Sequence, residues 1–363
     1  MPRVAFYAPM KPPTHPVPSG DRAFARALMA AIATDDADVS LVSTVQTHES
    51  KGDATRQAAI RDNARAEAAR ICALYADAPP DLWVTYHNYY KAPDFIGHAV
   101  TSELGIPYVQ IEASRARKRL TGPWAEFAAA AESAIDAADV VFYLTAHDLI
   151  TLERHRPAGQ RLVNLKPFLP QTDLPAAADP AGHLPRMLSA GMMRHGDKLA
   201  SYRIIADTLG ELGDRDWRLD IAGEGPARPE VEQLMFPFGD RVRFLGQLDA
   251  AQMSAAYGNT ALFFWPGVHE GFGMVYLEAQ AAGVPVIAQD RPGVRDVLAP
   301  GLYPSPEDGA AALAARIVEM LDDAAQCRAR GLAARQTIQR DHLLSSARDT
   351  FWRAVAPLLE SRS

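Results

Sequence analysis

Residues 260–288 read TALFFWPGVHEGFGMVYLEAQAAGVPVIA. The runs 260–264 and 284–288 are apolar and β-favouring, each of a length that suits a strand covered on both faces. Between them a loop carries Glu270, and Gly271 and Gly273 then open a helical stretch over 274–282. Strand, glycine turn, helix, strand is a parallel α/β unit. The helix N-terminus offers backbone N–H groups and the positive end of a dipole, which suits a diphosphate. Glu278 lies one turn past Met274 in the otherwise apolar helix MVYLEAQAAG. Left unpaired, a carboxylate there costs roughly 3–5 kcal/mol. Sugar hydroxyls would be suitable partners; the competing arrangement has Glu270 capping the helix and Glu278 paired with a buried arginine.

The same alternation extends in both directions. Strands are predicted at 3–8, 38–43, 81–86, 107–112, 139–144 and 161–165, then at 187–190, 217–222, 241–245, 260–264 and 284–288. Helical patterns fill the gaps at 20–33, 55–76, 123–137 and 145–155, then at 198–211, 227–235, 249–257, 274–282 and 307–321. A proline-rich stretch without periodicity separates the halves. The reading is two doubly wound domains: 1–170, a linker over 171–185, and 186–340, followed by a helix over 341–363 that packs back on the first domain. Ligands of open parallel sheets bind beyond the carboxyl ends of the strands, so two such domains facing each other imply a cleft.

The chain of 363 residues carries 37 basic and 44 acidic side chains, a net charge of -7. That balance argues against a general nucleic-acid binder. Cys72 and Cys327 are far apart and have no ligand-like spacing, so neither a disulfide framework nor a zinc site is expected. No run of 18 apolar residues occurs. A soluble, cytoplasmic protein is expected, with peripheral membrane contact left open.

Other strand ends carry chemistry. Gly191 is followed by Met192, then Arg194, Asp197 and Lys198. Fixed cations there would offset the charge growing on a departing phosphate, whereas a solvated basic turn would do no chemistry. Asp197 interrupts the Gly–Lys step of a Walker loop, and Arg228 stands where a dinucleotide fingerprint needs glycine. Asp214-Arg-Asp216 has a metal-binding D-x-D form but reads as a turn.

The segment around Glu270 resembles glycosyltransferase family 4, retaining enzymes of GT-B fold similar to the bacterial glycosyl transferases group 1. Glu270 and Glu278 match the family's Glu-x7-Glu pair. The resemblance implies that Glu270 lies by the donor sugar, that Glu278 binds the ribose hydroxyls, and that Gly271, Phe272, Gly273 and Met274 lie near the diphosphate. It assigns Arg194 and Lys198 to the diphosphate. Gly223 and Gly225, in Ala-Gly-Glu-Gly-Pro, match the strand end that shapes the base pocket, and Phe244 and Gly246 the strand end where the base stacks or bonds. The family's loop after the first strand reaches toward the diphosphate; here Ser19 and Gly20 hold that position, where Ser19 or Asp21 could equally cap a helix.

Three acceptor-side features complete the pattern. His87 follows strand 81–86, where the family often has a histidine, and is a candidate catalytic residue. Glu112 ends strand 107–112 where relatives carry histidine. The run Arg115, Arg117, Lys118, Arg119 suits an anionic acceptor or lipid surface, or is a solvated loop. The resemblance implies transfer of a hexosyl unit from a nucleoside-diphosphate sugar, UDP- or GDP-linked, to an unidentified acceptor, with no metal cofactor. A nucleotide-sugar epimerase, a sugar phosphorylase or a non-catalytic sugar-nucleotide-binding protein would share much of the pattern. The joint presence of Glu270, Lys198 and Glu278 favours catalysis.

Overall fold

The computed structural model describes all residues except Pro18, Leu184 and 361–363, so the last three positions of the predicted C-terminal helix and one of the predicted linker lie outside the described residues. The chain divides into two compact units, Met1–Lys166 with Leu344–Ser363, and Pro167–Leu343.

In the first unit the strands are β1 (Arg3–Tyr7), β2 (Asp38–Leu41), β3 (Leu82–Tyr86), β4 (Tyr108–Ile111), β5 (Val140–Tyr143) and β6 (Arg161–Asn164). They form one parallel sheet in the order β2-β1-β3-β4-β5-β6. Every residue of β3 and β4 is buried, the polar Thr85 and Gln110 included, as expected of strands covered on both faces. The helices are α1 (Gly20–Ile32), α2 (Ala54–Leu74), α3 (Phe95–Leu104), α4 (Ala125–Ala137) and α5 (Ala146–Arg154). Helix α1 buries Phe24, Ala27, Leu28 and Ala31 along one stripe.

The second unit holds β7 (Arg186–Ala190), β8 (Arg218–Ala222), β9 (Val242–Gly246), β10 (Leu262–Phe264) and β11 (Val286–Ile287) in the order β11-β10-β7-β8-β9. Its helices are α6 (Asp197–Glu211), α7 (Arg228–Met235), α8 (Ala250–Gly258), α9 (Met274–Ala281), α10 (Gly309–Asp322) and α11 (Ala324–Asp341). The strand order reverses between β7 and β10, the switch point at which open sheets bind ligands. The same reversal in the first unit falls between β1 and β3.

Helix α12 (Leu344–Glu360) returns to the first unit and packs on α1. Arg348 donates to the carbonyls of Ala30, Ala31 and Ala33 at 3.1, 3.2 and 3.2 Å, and Trp352 Nε1 donates to Ile32 at 3.1 Å. These donors satisfy the carbonyls that the end of α1 leaves unpaired. Residues 171–185, predicted as a linker, are tied to the second unit: Ala178 N donates to Ala282 O at 2.8 Å and Arg328 binds Asp179 at 3.0 Å. Residues 214–216 form the predicted turn.

Two helices escaped the sequence reading. Helix α3 starts on Asp94, whose Oδ1 accepts from the amides of Ile96 and Gly97 at 3.0 and 2.7 Å. Asp94 is itself buried, and its Oδ2 accepts from Thr85 and Tyr108 at 2.5 Å each. The helix is fixed by this polar knot, which periodicity does not reveal. Helix α11 is mostly polar and carries Gly331, where a Cβ would strike the carbonyl of Gly283. Among the described residues no helix is long and apolar enough to cross a membrane.

Candidate functional site

In the second unit the ends of β7, β8 and β9 are stitched together by backbone bonds. Gly191 N donates to Ala222 O at 3.0 Å, Met193 N to Glu224 O at 2.9 Å and Ala227 N to Met193 O at 2.9 Å. Gly223, at φ 145°, comes so close to Gly191 that a Cβ would strike the Gly191 carbonyl oxygen, which explains a glycine there. Gly223 N in turn donates to Gly246 O at 2.8 Å. Phe244 is half-buried and the Arg228 guanidinium lies 5.7 Å over its ring.

Three successive residues after β10 are fastened to the first turns of α6. Val268 N donates to Ser201 Oγ at 3.1 Å, and His269 Nδ1 lies 2.8 Å from Asp197 Oδ1. Glu270 Oε1 accepts from Lys198 Nζ. It also accepts from Trp265 Nε1 at 2.8 Å, while the Lys198 ammonium lies 5.3 Å over the Trp265 ring. Glu270 therefore does not cap α9; it is held between an ammonium and an indole. His269, at φ 48°, is one of three non-glycine residues with left-handed backbone among the described residues. Such a conformation costs of order 1–3 kcal/mol and persists only where surrounding contacts impose it.

Helices α6 and α9 both begin at the switch point without a side-chain cap. Their N-cap residues are Gly196 and Gly273, with φ 80° and 71°. Uncapped N-termini leave amides and a dipole end for an anion. Arg194 is exposed on the loop leading into α6, its carbonyl accepting from Leu199 N at 3.0 Å. Gly271 is exposed; Phe272, Gly273 and Met274 are half-buried. Glu278 takes the Tyr257 hydroxyl on Oε2 at 3.0 Å, so its partner is a tyrosine and not the arginine weighed above. Burial pushes the Glu278 carboxyl above its ordinary range, and the Tyr257 hydroxyl pulls it back only in part. A half-buried carboxylate with one hydroxyl donor keeps acceptor capacity for further hydroxyls.

In the first unit, the other two left-handed residues are His87 and Glu112, at φ 68° and 57°. They end the adjacent strands β3 and β4, where His87 N donates to Ile111 O and Glu112 N to Phe142 O, both at 2.9 Å. His87 Nδ1 lies 3.4 Å from Asp21 Oδ1. Burial opposes the charged imidazole, but the carboxylates of Glu112, Asp21 and Asp148 outweigh it and hold its pKa above 6.5. His87 in turn holds the Asp21 carboxyl below its usual range. Burial raises Glu112. Ser19 caps α1, its Oγ accepting from Arg22 N at 3.2 Å, so Asp21 is left to face His87. Gly20 meets open space, and no neighbour demands a glycine there.

The Asp21–His87 pair has a definite pH dependence. A raised histidine contributes stability below its unfolded value and loses it as pH rises through the folded value. A lowered aspartate contributes above its unfolded value and loses it as pH falls through the folded one. Asp21→Asn is expected to lower the His87 titration midpoint, because burial then meets less opposition. Histidine-detected NMR titration measures this; an unchanged midpoint contradicts the pairing.

Arg115 requires a correction. Its guanidinium is buried, bound to Glu132 Oε2 and Asp136 Oδ1 at 2.6 Å each, and Glu132 also accepts from Ala116 N at 3.0 Å. It anchors the 112–124 loop to α4 and does not face an acceptor. Arg115→Ala should cost about 3–5 kcal/mol by stranding Glu132, read as a lower midpoint in urea unfolding. Lys118, three residues further on, is exposed. Sequence reasoning missed Trp265, Ser201 and Tyr257; only Trp265, at the strand end five residues before Glu270, carried a positional signal.

Residues 185–323 match the family model described as glycosyl transferases group 1. A GDP-mannose-dependent alpha-mannosyltransferase of Mycolicibacterium smegmatis is 36% identical over 126 residues, 34% of this chain and 32% of that protein. A D-inositol 3-phosphate glycosyltransferase of Streptomyces bingchenggensis is 27% identical over 279 residues, 65% of this chain and 61% of that one. The chain thus spans between about a third and three-fifths of the length of these curated relatives. Among solved structures, a sucrose-phosphate synthase from Thermosynechococcus elongatus superposes with TM-score 0.71 at 20% identity, covering 99% of this chain and 100% of that one. The Anabaena protein HepE, solved with UDP and glucose, gives 0.68 at 15% identity, covering 98% and 100%. Residues 185–323 are therefore similar to the glycosyl transferases group 1, and the two parallel α/β units have the GT-B fold of the solved neighbours.

Proposed function

We propose that the protein is a retaining hexosyltransferase that takes its sugar from a nucleoside-diphosphate sugar, acting in the cytoplasm. The observation that carries this reading is the cluster at the β7–β10 switch point. There Glu270 is held by Lys198 and Trp265, beside the uncapped N-termini of α6 and α9. The two helix ends, Lys198 and the exposed Arg194 supply the positive potential that a diphosphate needs, without a metal ion. Glu278, with acceptor capacity left after Tyr257, binds the ribose hydroxyls. Gly223, Gly225, Phe244 and Gly246 border the base. One sequence relative is GDP-mannose-dependent and a structural neighbour was solved with UDP and glucose, which supports a nucleotide-sugar donor and leaves the base to be measured.

In this reading the acceptor hydroxyl attacks the anomeric carbon as the bond to the leaving phosphate breaks, and its proton passes to that phosphate. Lys198, Arg194 and the amides over 271–274 stabilise the charge that develops. Glu270 positions the sugar hydroxyls. His87, whose charged form is favoured by Glu112 and Asp21 against burial, serves the acceptor-binding unit as a donor to the reacting groups.

The test is incubation with UDP-glucose, UDP-galactose, GDP-mannose and their kin. Released nucleoside diphosphate is followed over time, and the anomeric proton of the product is read by NMR. Slow donor hydrolysis or transfer with retained configuration supports the reading. Accumulation of epimerised donor, or no turnover of any nucleotide-sugar, overturns it.

A further inference from the structure

We infer that the first unit binds a phosphate group carried by the acceptor, and that Lys91 and Arg119, not Arg115, hold it. This deepens the glycosyltransferase reading above and rests on it.

Two cations share one pair of aromatic rings. The Lys91 ammonium lies 5.7 Å over the Tyr90 ring and 5.5 Å over Trp124. The Arg119 guanidinium lies 5.3 Å over Tyr90 and 5.6 Å over Trp124. The two rings themselves meet edge to face at 5.7 Å. Arg115, four residues before Arg119, is neutralised by two carboxylates, whereas no described carboxylate pairs with Lys91 or Arg119. Like charges gathered on the same rings repel, and an anion between them removes that repulsion. Arg119 Nε and Trp124 Nε1 are both buried without an acceptor. Buried donors left unmade are expensive, so the cluster has unused capacity for an oxyanion. A planar guanidinium beside an ammonium matches a phosphate in both geometry and charge.

The cluster stands where an acceptor would lie. Tyr90 and Lys91 follow β3, and Arg119 and Trp124 follow β4, both at the carboxyl edge of the sheet. A ladder of rings leads from it to His87: Trp124 meets Tyr90, Tyr90 meets Tyr89 at 5.7 Å, and Tyr89 meets His87 at 5.0 Å. Aromatic faces of this kind line the sites of ring-bearing ligands. An acceptor anchored by its phosphate on Lys91 and Arg119 would lie along Tyr90 and Tyr89, with a hydroxyl at His87.

Calorimetric titration of the full chain with glucose 6-phosphate and with glucose tests this, alongside sedimentation with phosphatidylglycerol and phosphatidylcholine vesicles. The wild type, the double variant Lys91→Ala/Arg119→Ala and the conservative Arg119→Lys are compared. Glucose 6-phosphate is expected to bind at least about tenfold more tightly than glucose, as one charge-assisted contact to phosphate supplies. The double variant should lose that preference, and Arg119→Lys should retain part of it. If instead only phosphatidylglycerol vesicles bind, and the double variant loses them, the phosphate belongs to a lipid headgroup and the inference stands. If neither probe binds the wild type, or the double variant binds both unchanged, the inference is overturned. Nucleoside diphosphate binding, measured by thermal shift on the same variants, should be unaltered. Its absence in the wild type would refute the glycosyltransferase reading instead.

Discussion

Lys198→Ala is expected to lower turnover about 100-fold or more, the usual effect of removing one preorganised contact to developing charge. Lys198 stands in the second residue of α6, and its ammonium is bound to Glu270 and lies over Trp265. That arrangement fixes a flexible side chain before any ligand arrives, and preorganised charge stabilises a transition state most effectively. A diphosphate entering the N-terminal ends of α6 and α9 would compete with Glu270 for the ammonium. The loss should therefore fall on kcat more than on KM. The pair is largely buried, with side chains 26% and 13% exposed, but Trp265 Nε1 still donates to Glu270 without the ammonium, so the cost to folding should stay near the roughly 1.5–3 kcal/mol of one charged hydrogen bond and Tm should drop by several degrees at most. Wild-type turnover in a folded Lys198→Ala protein would remove Lys198 from the chemistry. A large loss of Tm would show that it holds the 268–270 loop instead.

Glu278 presents the opposite combination, with binding lost and stability kept. Its carboxyl is raised by burial, so the folded protein holds that proton more tightly than the unfolded chain does. The sign follows: stability falls as pH rises from the unfolded glutamate value through the folded one, and the ionised group is a liability at neutral pH. Glu278→Gln removes that liability while leaving an oxygen for the Tyr257 hydroxyl. The free variant should be as stable as the wild type or more so at neutral pH. Its affinity for a nucleoside diphosphate should fall roughly tenfold to a hundredfold, since hydrogen bonds to a charged group are worth about 1.5–3 kcal/mol. A variant that loses stability and keeps affinity would assign Glu278 a structural role only.

Much of this was legible in the sequence because parallel sheets announce themselves. Buried strands such as LFF in β10, and LWVTY in β3 with Thr85 its one hydroxyl-bearing aliphatic position, are dominated by apolar residues, and the glycines that let loops approach one another stand at strand ends. The Glu270–Glu278 spacing survives translation into structure because both residues belong to one local turn and helix. What was not legible was set by pairing across long chain separations. Nothing near Arg115 in sequence announces Glu132 and Asp136, so a basic run read as a surface contains one buried structural cation. Asp21 faces His87 only because Ser19 takes the capping role and the sheet order brings β1 beside β3. Tyr257 reaches Glu278 from a different helix, so the arginine alternative could not be dismissed from spacing alone. Helix α3 depends on a buried aspartate bound to two hydroxyls on neighbouring strands, a pattern without period.

The central claim is that the carboxyl edge of the second sheet is a nucleoside-diphosphate site. Thermal unfolding of the wild type and of Glu278→Gln, each with saturating UDP and with GDP, tests it most directly. A ligand present at 100 times its dissociation constant stabilises by about 2.7 kcal/mol, a rise of several degrees. The account predicts such a rise with one of the two nucleotides in the wild type, and a much smaller one in Glu278→Gln. No rise with either nucleotide, or an equal rise in both proteins, would contradict it.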